Sequence, residues 1–187
     1  TGTRNTALGV EALAGATTAN HNTAVGDRVM LLNTTGAENV AVGSGSLSNN
    51  LTGNNNTAVG RLALRFSTSS HNTGIGYYAL TANTTGQDNV AVGSGALDAN
   101  TTASNNTAVG RAALGSNTTG TNNVAIGANA LDANTTGEEL TAVGRHALSA
   151  NTTADENTAF GYAALAVNST GSLNVAIGAN ALDSNTT

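Results

Sequence analysis

Cysteine, proline and tryptophan are absent, and the 187 residues include only two Phe and three Tyr. Without cysteine there is no disulfide framework and no thiolate metal site. The aromatic side chains that dominate most cores are nearly missing, so a core must be built from Val, Leu and Ala and must be thin and repeated. Charge is scarce too: 9% of the residues are charged, against about a quarter in ordinary domains. Six basic and eleven acidic groups leave a net charge of −5, which excludes the basic footprint of a nucleic-acid binder. No apolar run approaches the roughly 20 residues of a membrane-spanning helix. What is abundant is small: 34 Ala, 30 Thr, 27 Asn and 23 Gly make 114 of the 187 residues. Disordered chains pair low hydrophobicity with high net charge; here 39% of residues are apolar, which points to a folded chain.

An internal period accounts for this composition. Aligned on one glycine, the chain gives Gly9, Gly26, Gly43, Gly60, Gly76, Gly93, Gly110, Gly127, Gly144, Gly161 and Gly178, every spacing 17 except the 16 between Gly60 and Gly76. The unit reads N-[T/V]-A-[V/I]-G-x-x-A-L-x-x-N-T-T-G-x-x, with Asn5 at position 1 and Gly9 at position 5 of the first copy. Seventeen residues are too few for a two-helix repeat, and a Gly with an N-T-T cluster in each unit breaks any longer helix. Each unit therefore makes one turn of a parallel β-solenoid, and residues 1–187 form a single array of eleven coils. Thr1 and Thr187 fall at the same phase of the unit, which leads us to expect a window of a longer array. A longer period is also present: NTGIGYYALTANTT from Asn72 matches NTAFGYAALAVNST from Asn157, as a block duplication would leave it.

Position by position, the pattern predicts the interior. Position 9 is Leu in ten copies and Met30 in the other; position 4 is always apolar, from Leu8 and Val25 to Ile177. These two columns are expected to form the core. Alternation along a strand then turns position 3, mostly Ala, outward as a stripe of small residues fit for close packing of another chain. The glycine is expected to bend the chain, the A-L pair to open a second short segment, and N-T-T-G to turn a corner through Asn, Thr and Gly chemistry. Asn at position 1 recurs in ten copies and at position 12 in nine. Stacked about 4.8 Å apart, identical amides bond along the stack as side-chain ladders do in cross-β assemblies. Positions 6, 7, 10 and 11 carry most of the variety and are read as outward loops.

Catalytic chemistry finds no support. Hydrolysis needs a nucleophile with a positioned base, or carboxylates about 5 Å apart around one bond. His21, His71 and His146 lie in variable positions of different coils without a constant acidic partner, and Asp98, Asp132 and Asp183 are never on adjacent coils. No catalytic residue, no metal site and no cofactor is assigned, and the chain is not read as an enzyme. N-T-T also makes sequons at Asn33, Asn83, Asn100, Asn117, Asn134, Asn151 and Asn185, read as turn chemistry before glycosylation. Thr columns at positions 13 and 14 raise an ice-binding alternative, weakened because adjacent residues in a strand face opposite ways.

The strings NVAVG at Asn39 and Asn89 and NVAIG at Asn123 and Asn174, with the A-L pair that follows, resemble the head repeats of YadA-type trimeric autotransporter adhesins. They are also similar to repeat arrays of phage and bacterial tail-fibre-like proteins. The resemblance covers all eleven coils, although this unit is longer than the usual head repeat, the extra length lying in the N-T-T-G corner, and neck, stalk and membrane anchor are absent from the sequence. It implies a left-handed β-roll, a homotrimer, and exposure at a cell surface or on a virion fibre, where the module adheres to a host glycan or protein receptor. The expected function is thus a non-enzymatic structural and adhesive segment acting by rigid spacing and multivalent contact. The alternatives are a filament subunit that stacks end to end and an ice-binding solenoid. Candidate surface contacts are Arg61, Arg111, Arg145, Tyr77, Tyr78 and Tyr162. No nucleic acid partner and no membrane insertion are expected.

Overall fold

A computed structural model describes residues 2–186. It is a β-solenoid: eleven three-residue strands, from β1 (Thr6–Leu8) and β2 (Thr23–Val25) to β11 (Val175–Ile177), form one parallel sheet in chain order. Each strand occupies positions 2 to 4, and each pairs with the next in the same register, Thr6 with Thr23 and Leu8 with Val25 onward. The 16-residue coil does not disturb this: β4 (Thr57–Val59) pairs Thr57 with Thr73 of β5 (Thr73–Ile75). The missing residue is absorbed in the corner, where Ser67 and Ser69 replace Asn and Gly. Their hydroxyls lie 3.0 Å apart, Ser69 Oγ donates to the Gly86 carbonyl at 2.6 Å, and Asn83 Nδ2 donates to both hydroxyls at 3.3 and 3.2 Å.

Outside the strands the backbone is still tied coil to coil. The position 9 amide donates to the carbonyl at position 8 of the next coil, as Leu97 to Ala113 at 3.1 Å, and the position 7 amide donates to position 6 of the coil before, as Ala112 to Ser94 at 3.0 Å. The second short segment expected to open at the A-L pair is not a strand; positions 6 to 11 are consecutive turns. Position 9 takes a left-handed backbone in every coil, Leu97 at φ 51° and Leu114 at φ 51°, and positions 7 and 17 do likewise. For non-glycine residues this conformation costs roughly 1 kcal/mol or more each, and inter-coil hydrogen bonds together with burial of the leucine offset it.

The interior corrects the sequence reading at one point. Position 9 is buried as expected from Leu13 to Leu165, but position 4 is not: Val42 is 36% exposed, Phe160 56% and Ile177 73%, while the position 3 alanines from Ala24 to Ala159 are fully buried. Ala at position 3, Ala at position 8 and Leu at position 9 make the core. Gly74, the one glycine at position 3, shows why. A Cβ there would lie 3.2 Å from Leu64 Cγ and 3.2 Å from the Ala79 carbonyl oxygen. The coil is so narrow that opposite leucine only a methyl group fits, and valine must face out.

Candidate functional site

Three surfaces of the solenoid are chemically distinct: the Asn-lined corner, the outer sheet face, and the irregular face carrying positions 6, 7, 10 and 11.

The corner is structural. The position 1 side chain takes the backbone amide of the next coil, as Asn89 Oδ1 accepts from Asn106 N at 3.0 Å, and its Nδ2 donates to the position 15 carbonyl, as Asn106 to Gly120 at 3.0 Å. The position 12 side chain donates to that same carbonyl, Asn117 to Gly120 at 2.9 Å, and to the Asn below it, Asn117 Nδ2 to Asn100 Oδ1 at 3.1 Å. Both Asn ladders are therefore present, and both clamp the N-T-T-G corner. Leu140 interrupts the first, though its own amide still donates to Asn123 Oδ1 at 2.9 Å. The second misses a step after Asn151, whose Oδ1 is buried without a partner. Asn33, Asn83, Asn100, Asn117, Asn134 and Asn151 are fully buried, so these sequon nitrogens are committed to the interior and turn chemistry accounts for the motif.

The outer face of the sheet carries positions 2 and 4. Position 2 is Thr or Val and position 4 is Val, Ile, Leu or Phe, with no charged or amide side chain in either rank from β1 to β11. Leu8, Val40, Val42, Ile75, Val109 and Ile126 all stand in solvent. The outward stripe is thus apolar and β-branched where small alanines were expected.

On the irregular face the structure gathers only some of the predicted contacts. Arg61 and Tyr77 occupy position 6 of successive coils, with Arg61 Nη1 3.4 Å from the Tyr77 hydroxyl and its guanidinium carbon 5.7 Å from the ring centroid. Tyr78 packs edge-on against Tyr77 at 4.3 Å between centroids. Arg111, Arg145 and Tyr162 are exposed on later coils, and among the described residues no ring contact joins Arg145 to Tyr162. Burial pushes the Asp98 carboxyl above its ordinary value, opposed by the backbone amides of Asp98 and Ala99; burial also raises Asp132, opposed by its own amide and by the charge of His146. Among the described residues no three His, Asp or Glu side chains are grouped to hold a metal ion, and no helix is long and apolar enough to cross a membrane. Comparison with family models, with curated proteins and with solved structures finds no match.

Sequence reasoning overlooked a recess of about 290 Å³ on this face, lined by Arg28, Leu31, Gly45, Ser48, Leu62 and Arg65 among others. A signal for it was present. Position 7 is glycine only in the coils of Gly45 and Gly95, and only around Gly45 are the flanking coils long-chained at both position 7 and position 10.

Proposed function

We propose that the chain is a non-enzymatic structural and adhesive module of a cell-surface or virion fibre, a rigid solenoid that associates side by side as a homotrimer. The carrying observation is the outer sheet face, two uncharged ranks of Thr, Val and Ile running from β1 to β11. Eleven strands at about 4.8 Å make it roughly 50 Å long, and two ranks across give an uncharged band of roughly 500 Å² whose position 4 rank is apolar throughout. Flat β-branched surfaces interdigitate well, and three such faces turned to a common axis remove all of this area from water. The number three and the adhesive role rest on the resemblance of the NVAVG and NVAIG units. The mechanism is spacing and display: weak contacts repeated on three chains add through effective concentration.

Light scattering after size exclusion, across a range of concentrations, tests the reading. A mass near three times 18.3 kDa is expected. A monomer at every concentration would sink the trimer. It would shift the reading to ice binding by the exposed Thr/Val face, which carries Thr at seven of its eleven position 2 sites and which a thermal-hysteresis assay would then decide.

A further inference from the structure

We propose that the recess at Gly45 is a binding site for a carboxylate-bearing monosaccharide unit. The proposal rests on the adhesive reading above for its setting, and it gives that reading a ligand class.

The recess arises from three successive coils. The middle coil is small at both positions that border the gap, with Gly45 at position 7 and Ser48 at position 10. The coil before it places Arg28 at position 7 and Leu31 at position 10; the coil after it reverses the pair, Leu62 at position 7 and Arg65 at position 10. Each wall thus presents one guanidinium and one leucine, with the two guanidiniums on a diagonal. The walls are two coils apart, roughly 9.6 Å from backbone to backbone, and the open recess between them, about 290 Å³, has room for one sugar ring with its substituents. A Cβ on Gly45 would come within 2.6 Å of Leu62 Cδ2, so leucine leans over the floor and gives the apolar surface against which the C–H face of a pyranose packs.

The polar groups fit the same ligand. Arg28 is engaged, its Nε 3.0 Å from Glu11 Oε2. Arg65 lies over the Phe66 ring at 4.8 Å, and no carboxylate among the described residues pairs with it. A guanidinium held against a ring and without a carboxylate partner offers a fork that binds a ligand carboxylate in two-pronged fashion. Ser44, Ser48, Asn49 and Asp27 border the opening and supply donors and acceptors for hydroxyls. Glu11 answers the charge of Arg28 and Asp27 borders the opening, so the preference for an acidic sugar over a neutral one rests on Arg65, which no carboxylate among the described residues pairs with. The Gly95 coil is a built-in contrast: Ala112 and Gly115 on the following coil leave no second wall.

The test titrates the full chain with methyl β-glucuronide, methyl β-glucoside and acetate, read by saturation-transfer NMR, with oligomeric mass measured on the same sample. Glucuronide is expected to bind at least about tenfold tighter than either control, one charge-assisted contact being worth that factor or more. Arg65→Ala and Ser48→Leu should each abolish the signal without moving the melting curve. Both substitutions place residue types that the same column already holds, Ala14 and Leu31. Val167→Ala, at an exposed position of a remote coil, should bind as the parent does. Equal binding of glucuronide and glucoside, no glucuronide binding, or binding that survives Ser48→Leu would overturn the site. A monomer that binds glucuronide keeps the recess and sinks the trimer, whereas a trimer that ignores it keeps the fibre and sinks the recess.

Discussion

Glycine at position 5 marks where backbone meets backbone. A Cβ on Gly110, at φ 142°, would lie 2.5 Å from the Gly127 carbonyl oxygen and 2.6 Å from its carbon, and the same clash recurs up the column at Gly127 against Gly144. The column was legible in the sequence as a period; its cause, stacking of coils at contact distance, was not. Asp98 shows a different tension. Held between Gly95 and Gly115, its carboxyl is partly buried and its pKa lies above 3.8. A raised folded pKa means that the folded state holds its proton more tightly than the unfolded chain. The stabilisation is fully present below the unfolded value and is lost as pH rises through the folded one. Asp98→Asn is therefore expected to raise the melting temperature at neutral pH and to have almost no effect well below the ordinary carboxylate pKa of about 3.9. Calorimetry at the two pH values checks it; equal effects at both would show that the charge is not the cause.

Between one coil and the next, the Asn ladders do what strands of three residues cannot do alone. Asn106 takes the Asn123 amide on Oδ1 and gives Nδ2 to the Gly120 carbonyl. Replacing it by Ala leaves the buried Asn123 amide unpaired, at roughly 1–3 kcal/mol, while the Gly120 carbonyl keeps the Asn117 side chain as a donor. Leu140 shows that the column admits an apolar side chain when it fills the space, so Asn106→Leu should cost less than Asn106→Ala. Because each coil touches only its neighbours, the damage should be local. Native-state hydrogen exchange should show the Asn123 amide deprotected in both variants, with amides several coils away unchanged; uniform loss of protection would contradict a coil-by-coil structure. The sequence disclosed these ladders because identical residues at identical phase must stack in any solenoid. It did not disclose that both Asn columns converge on the position 15 carbonyl, since that depends on how the corner folds back.

Along the full array, the question is what covers the outer sheet face. Val92 and Val109 stand on adjacent strands, Val109 36% exposed, so charges placed there leave the coil interior untouched. Val92→Lys with Val109→Lys should keep the far-ultraviolet spectrum and melting curve of a single chain. The pair should also shift the scattering mass from the trimer toward a monomer, because like charges would be brought together in a dry interface. Retention of the parent mass would place the contact on another surface.

Period, coil number, the leucine column, both ladders and the corner followed from the sequence alone, because in a stacked solenoid a repeated phase is a repeated environment. Alternation established that positions 3 and 4 face opposite ways, but not which of them is inside. The usual preference for burying the larger apolar residue gave the wrong answer. Only the tertiary structure decided that, through the width of the coil: with Leu at position 9 already filling the interior, a methyl group is all that fits opposite, as the 3.2 Å contacts around Gly74 record. The same inversion turned an expected stripe of alanine into an apolar valine face. Likewise the recess at Gly45 exists because three coils of differing bulk are stacked, and bulk difference between coils becomes a cavity only once their spacing in space is known.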